Sequence, residues 1–236
     1  HISFDNIPSS IRKPGQYFEF NTRLAVRTLP ANAQKVLIVA PMLATGSLDP
    51  LVATSVFSGD EAAVYFGYGS VAHLMVVTAI STYAYLDLTV IGISDASAGV
   101  AATGTLTITG PASSQGVVSL WVGKTRVDVA VSAADTATAI AAAMKTAIDN
   151  QPELPVTAAV AAGVLTLTAK NKGTAGNDIR LRAQTTASGT TTAIVAMASG
   201  ATDPDIAPAL TNVVAAGHNI IISPFCTQAT LTALRT

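Results

Sequence analysis

Three short, predominantly apolar segments frame this chain: Lys35–Ala40 (KVLIVA), Leu86–Ile93 (LDLTVIGI, interrupted by Asp87 and Thr89) and Asn219–Ser223 (NIIIS). A run of this length between polar boundaries suits a strand covered on both faces, because neither face then carries polar side chains. Between the first two runs the pattern turns helical. Ser58-Gly-Asp-Glu predicts a helix start, with Ser58 or Asp60 as the cap and acids in the first turn. Gly67-Tyr-Gly-Ser70 breaks that helix, and Ser70 caps a second one over Val71–Thr82. Residues 35–95 therefore read strand–helix–helix–strand, the order of an α/β sheet.

Between the second and third runs the pattern is different. Ala96–Gly104 reads as a small-residue linker. Alternating, strand-like segments follow at 105–109, 117–123 and 126–132. An Ala-rich helix over Asp135–Asp149 carries Ile140, Met144 and Ile148 at helical spacing. Further strands are predicted at 155–160, 164–169, 179–183 and 190–197. Gly104-Thr-Leu-Thr-Ile-Thr and Gly163-Val-Leu-Thr-Leu-Thr echo one another. This block of about 100 residues, 96–200, is large enough to own a core. From residue 201 the α/β pattern returns. A helix starts at Thr202-Asp-Pro-Asp205 with Pro204 near its first position and ends at Gly217. The third apolar run follows, then a last helix from about Thr227. The expected fold class is α/β with an inserted β-rich α+β module carrying one helix. The expected division is an extended arm over 1–30, a discontinuous α/β domain over 31–95 and 201–236, and the module over 96–200. Only three strands are countable in the α/β part, which looks unfinished.

The arm reading rests on Pro8, Pro14 and Pro30, which disfavour helix, and on large apolar residues without helical period. These are Phe4, Ile7, Ile11, Tyr17, Phe18 and Phe20, the candidate contact residues of the arm; a segment so apolar must dock on something. His1 stands where an initiator Met would be, so the terminus reads as processed or left from expression.

Composition narrows the function. Only 11% of residues are charged while 50% are hydrophobic, against about 25% charged in an ordinary soluble domain. Ala and Thr supply roughly a third of the 236 residues. So few charges cannot cover a solvated surface, which points to a subunit that hides surface in an assembly. Residues 1–35 hold five basic and two acidic side chains, whereas 36–95 hold five acids and no Lys or Arg. Such an arrangement has two readings, head-to-tail pairing of copies or chance in so lightly charged a chain. A net charge of −1 disfavours nucleic acid as a partner. No apolar stretch approaches the roughly 18 residues of a membrane span, and no signal peptide or glycosylation sequon is visible.

Chemistry-bearing motifs are weak. Gly67-x-Gly69-x-x-Ala72 matches a dinucleotide fingerprint, but that motif needs a preceding strand and here follows a helix. His1, His73 and His218 have no ligand at metal spacing; His73 reads as a satisfied, half-buried imidazole. Ser223 and Cys226 follow a strand, without an elbow motif or a paired base; the single Cys reads as a buried small hydrophobe. Asp203 and Asp205 are explained by a helix start. Lys172–Asp178 (KGTAGND) reads as a hairpin turn. No enzyme, cofactor or metal is expected.

Taken in order, several segments resemble contractile-tail sheath proteins of the Mu-like phage group. They are Ile2–Pro8 (ISFDNIP), Arg12–Phe20 (RKPGQYFEF), Lys35–Val39, Phe66–Ser70 (FGYGS) with His73-Leu-Met, Gly104–Gly110, Thr125–Val129, Ala137–Ala147, Lys172–Asp178 and Ile220–Phe225 (IIISPF). The resemblance implies a homo-oligomeric helical sheath around a tail tube, part of the virion and assembled in the host bacterial cytoplasm. It implies contraction that drives genome ejection through the host envelope. It also implies terminal arms that join neighbouring sheets, and contacts to tube, baseplate and terminator proteins through the full-length chain. Neither a membrane nor nucleic acid is implied as a partner. Family members are about twice this length; their C-terminal half completes a main domain called subtilisin-like for its fold alone. On that comparison the chain reads as an N-terminal half. The alternative is a β-sandwich adhesion or carbohydrate-binding module, which would need exposed aromatics on 96–200, where Trp121 stands alone.

Overall fold

The computed structural model describes Gly15, Gln16 and residues 34–235. The chain divides into two units, His1–Ala33 and Gln34–Thr236, and the fold below is that of the second. Phe4, Ile7, Ile11, Tyr17, Phe18 and Phe20 lie outside the described residues.

The architecture is mixed α/β, with more sheet than helix. Strand β1 (Lys35–Pro41) leads through β2 (Ala53–Ser55) to helices α1 (Gly59–Phe66) and α2 (Val71–Thr82) and then to β3 (Asp87–Ile93). Ser58 caps α1 by accepting from the Glu61 N–H, and Ser70 caps α2 by accepting from the His73 N–H. Near the chain's end come α4 (Ala207–Val213), β11 (Ile220–Ile222) and α5 (Gln228–Ala233). The four strands form one sheet in the order β11-β1-β3-β2, with β11, β1 and β3 parallel and β2 antiparallel. Successive residues of β1 point to opposite faces. Val36, Ile38 and Ala40 therefore pack with Phe66, Ala72 and Val76 of α1 and α2, while Leu37 and Val39 pack with Ile206, Ala209, Val213 and Phe225. The unbroken apolar run in β1 is this two-sided burial.

The middle of the chain makes two antiparallel sheets. One runs β10-β4-β8-β7, from β4 (Ala101–Thr109), β7 (Val156–Ala161), β8 (Val164–Lys172) and β10 (Thr191–Ala198). The other runs β6-β5-β9, from β5 (Gly116–Val122), β6 (Thr125–Val131) and β9 (Leu181–Thr185). Both sheets and helix α3 (Ala137–Asp149) share one core, in which Ile140, Ala141, Met144 and Ile148 form the buried stripe of α3. The two echoing segments are partners: Leu106 stands opposite Leu165, and Thr105 opposite Thr166.

Several sequence expectations need correction. The linker over Ala96–Gly104 ends sooner, since β4 begins at Ala101; the ladder bonds are made by backbone groups, so paired neighbours override the low strand preference of Ala and Gly. Lys172–Asp178 is not a hairpin turn. It holds a 3-10 turn, Thr174–Asp178, that carries the chain from one sheet to the other. Helix α4 starts at Ala207 and has Pro208, not Pro204, near its first position. Its 3-10 extension ends at Gly217, whose φ of 65° is left-handed as expected of a helix stop. Among the described residues the α/β sheet has four strands rather than three, because three-residue β2 is too short to show as a pattern. The run at Asn219–Ser223 is not buried: Ile220, Ile221 and Ile222 are 41%, 40% and 39% exposed. They form the outer strand, paired to β1 on one side only.

Candidate assembly interface

The residues singled out for chemistry do not converge. Gly67 and Gly69 have φ of 87° and 76° and make the corner between α1 and α2, so no strand precedes the GxGxxA pattern. His73 is buried, and its Nδ1 accepts from the Gly69 N–H at 3.1 Å. Burial pushes its pKa down, Lys170 adds to that, and Glu153 and Asp60 oppose it. A neutral imidazole completing a helix corner is a structural part. Ser223 Oγ accepts from the Phe225 N–H at 3.4 Å, closing a turn. Cys226 is exposed, contrary to the buried position expected of it, because the chain leaves the sheet edge there. Asp203 does not serve its helix. Its carboxylate accepts from the backbone N–H and hydroxyl of Thr174, at 2.7 and 2.8 Å. Asp205 accepts from the Ala207 N–H at 3.0 Å. Among the described residues no three His, Cys, Asp or Glu side chains gather as a metal site requires.

What the geometry does build is surface for contact. Among the described residues β11 pairs only with β1, and a strand edge of this kind is the usual template for an added strand. Beside it lies an open groove of about 720 Å³ floored by Val36, Ile38, Ile220 and Ile222 and walled by Leu74, Met75 and Ala79 of α2. Its lining is predominantly apolar. Among the described residues, α1 and α2 pack on β1 and β3 on this face, and β11 lines the open groove instead.

The groove's far wall belongs to the antiparallel part, which a buried polar hub fastens to the α/β part. Along β8 the inward positions are Leu165, Leu167, Ala169 and then Asn171. Asn171 donates to the Met42 carbonyl at 3.1 Å and to Asp95 Oδ1 at 3.0 Å, and its own Oδ1 accepts from the Val71 N–H at 2.9 Å. Asp95 Oδ2 accepts from the Lys172 N–H. Lys170 Nζ donates to the carbonyls of Tyr68 and Pro152. Sequence reasoning missed Asn171, although the signal was present: the alternation L-T-L-T-A-K-N puts a polar residue on the apolar face.

Trp121 offers no free ring for stacking. The guanidinium carbons of Arg126 and Arg182 lie 5.2 and 4.4 Å from its centroid.

Over 239 aligned residues, 99% of this chain, the sequence is 37% identical to the Mu-like prophage FluMu tail sheath protein of Haemophilus influenzae. The relative is a tail sheath protein. The resemblance to the Mu-like sheath group read from scattered segments thus holds along essentially the whole chain. The chain spans about half the length of this relative, 49% of it. No family model matches the sequence. Among solved structures, the D2–D3 domains of the flagellar cap protein FliD from Escherichia coli align with 43% of this chain and 64% of that one. At 19% identity and a TM-score of 0.26, that likeness carries no argument. No helix among the described residues is long and apolar enough to cross a membrane.

Proposed function

We propose that this chain is part of a structural subunit of a contractile phage tail sheath, which polymerises around a tail tube and contracts to drive genome ejection. The observation that carries the reading is the 37% identity over 99% of the chain to a tail sheath protein. The low charge, the open edge of β11 and the apolar groove beside it support it, since each is surface that an assembly would bury. On this reading the partners are further copies of the same chain, the tube protein, and baseplate and terminator proteins. The place of action is the virion, assembled in the host cytoplasm, and the role is mechanical, with no catalytic step. The chain is then an arm over 1–30, an α/β sheath domain over 31–95 and 201–236 that further sequence completes, and an inserted module over 96–200. The arm's Phe4, Ile7, Ile11, Tyr17, Phe18 and Phe20 reach a neighbouring subunit; about 20 extended residues span on the order of 60 Å.

Negative-stain microscopy of the protein expressed from its complete gene tests this. Hollow tubes of sheath-like striation are expected. Deletion of residues 1–20 should abolish tubes while leaving the thermal transition nearly unchanged. Dispersed particles that bind glycans would favour an adhesion module instead; normal tubes after the deletion would remove the arm from the mechanism.

A further inference from the structure

The three-stranded sheet has one face in the core and one in water. Val118, Leu120 and Val122 of β5 and Val127, Val129 and Val131 of β6 point inward and are buried. The opposite face carries ordered rows across the strands. Arg126 and Arg182 stand on either side of Trp121, and Asp128 and Gln184 on either side of Ser119. Arg126 is committed, with its Nε donating to Asp128 at 2.7 Å and a second nitrogen to Ser119 Oγ at 3.1 Å. Arg182, stacked on the indole, and exposed Arg180 form no ion pair among the described residues. A guanidinium held against an aromatic ring keeps its in-plane N–H groups free for a carboxylate.

A matching surface exists elsewhere on the same chain. The β2–β3 register sets Ser55 opposite Thr89, and the Val56 N–H donates to the Leu88 carbonyl, which brings Phe57 to the end of the sheet where Asp87 stands. Phe57 is 77% exposed, and the edge-to-face pair Tyr83 and Tyr85 just before Asp87 is 60% and 90% exposed. Asp60 follows Phe57 in the chain, in the first turn of α1. Glu61 and Asp95 are occupied by hydrogen bonds within the chain, whereas Asp60 and Asp87 remain exposed. Lys35 stands across from Asp87 in the β1–β3 register, and no ion pair joins them. Exposed aromatics with carboxylates on one surface and Arg with Trp on the other is the chemistry that concentrates binding energy in interfaces.

We propose that the Arg180–Arg182–Trp121 face of one copy docks on the Phe57–Tyr85–Asp87 end of the next. The two surfaces differ, so the contact is head-to-tail and generates an open array rather than a closed dimer. The contact deepens the sheath reading and rests on it.

Charge exchange tests the contact in residues 1–236 by sedimentation velocity at low salt. One variant carries Arg180→Glu and Arg182→Glu, the other Asp60→Lys and Asp87→Lys. All four positions are exposed, and equal melting curves establish that both variants fold. The parent should self-associate and should dissociate as salt rises. Each variant alone should need about tenfold higher concentration to associate, since like charges then face each other. An equimolar mixture should recover parental association, because each reversed surface meets its complement. A monomeric parent, a variant that associates like the parent, or a mixture no stronger than its components would overturn the contact. So would loss of anionic-glycan binding in the Arg variant with self-association unchanged. Microscopy of the complete protein separates the two levels. Tubes from the parent and the Arg variant alike would sink this contact and leave the sheath reading standing, whereas no tubes from the parent would sink the reading itself.

Discussion

Asn171 is the side chain on which the joint between the two parts turns, and replacing it with Ala measures that joint. The substitution removes three hydrogen bonds from a residue only 5% exposed. The Val71 N–H belongs to the first turn of α2, where no carbonyl of the helix can reach it. The Met42 carbonyl loses its amide donor, and Asp95 loses one of its two. A neutral hydrogen bond contributes about 1 kcal/mol net and one to a carboxylate somewhat more, with a further cost for groups left buried and unpaired. The sum is roughly 3–4 kcal/mol, which for a chain of this size lowers Tm by on the order of 10 °C. Differential scanning calorimetry at pH 7 reads this directly. Asn171→Asp should be worse at pH 7, because a carboxylate cannot donate to Met42 and faces Asp95; it should recover partly as acid protonates it. An Asn171→Ala protein that melts within about 2 °C of the parent would refute the hub.

Gly69→Ala should destabilise by more than about 2 kcal/mol, since the position has positive φ and a Cβ there would overlap the Leu154 carbonyl oxygen; a denaturant midpoint equal to the parent's would refute this. Ile140→Asp should cost about 3–5 kcal/mol by placing an unpaired carboxylate in the core beneath α3, read as a lowered urea midpoint. His73 has its folded pKa pushed below 6.5, mainly by burial, so the unfolded chain binds the proton more readily and stability falls as pH drops through and below 6.5; His73→Gln should flatten the Tm-against-pH curve over that range. Residues 96–200 expressed alone should melt in one cooperative transition, and a molten product by circular dichroism and NMR would remove that domain boundary.

Much of the fold was legible because local chemistry agreed with it. Ser58 and Ser70 cap helices that the hydroxyls themselves announce, and Ile140, Met144 and Ile148 recur at the helical period. The echo of GTLTIT and GVLTLT marks strands that pair. What the sequence concealed depends on pairing partners distant along the chain. Strand β2 is three residues long and owes its conformation to β3. The loop 172–178 reads as a turn from its glycines, yet it crosses between sheets because Asp203, 29 residues beyond Thr174, holds it. The proposed contact surfaces were half visible. Low charge and an acid-only stretch pointed to contact between copies, but the proximity of Phe57 to Asp87 arises from register alone. Asn171 was readable only by following the alternation of β8 one step past its last apolar residue.

The discrepancy at β11 is informative for the same reason. Its Ile-Ile-Ile run has the composition of a strand covered on both faces, and in β1 and β3 that composition is matched by near-complete burial. In β11 the same composition meets about 40% exposure at every position. Nothing about an edge strand calls for three consecutive isoleucines; edges are normally blunted with charge, Pro or a bulge, which keeps stray strands away. Here the edge strand is apolar, and the groove next to it is apolar as well. Leaving such an edge unprotected is tolerable when it is covered in the working state. On the sheath reading proposed above, a strand from outside residues 34–235 covers it. The sheath reading proposed above gives such an edge a use, as the place where a neighbouring copy completes the sheet.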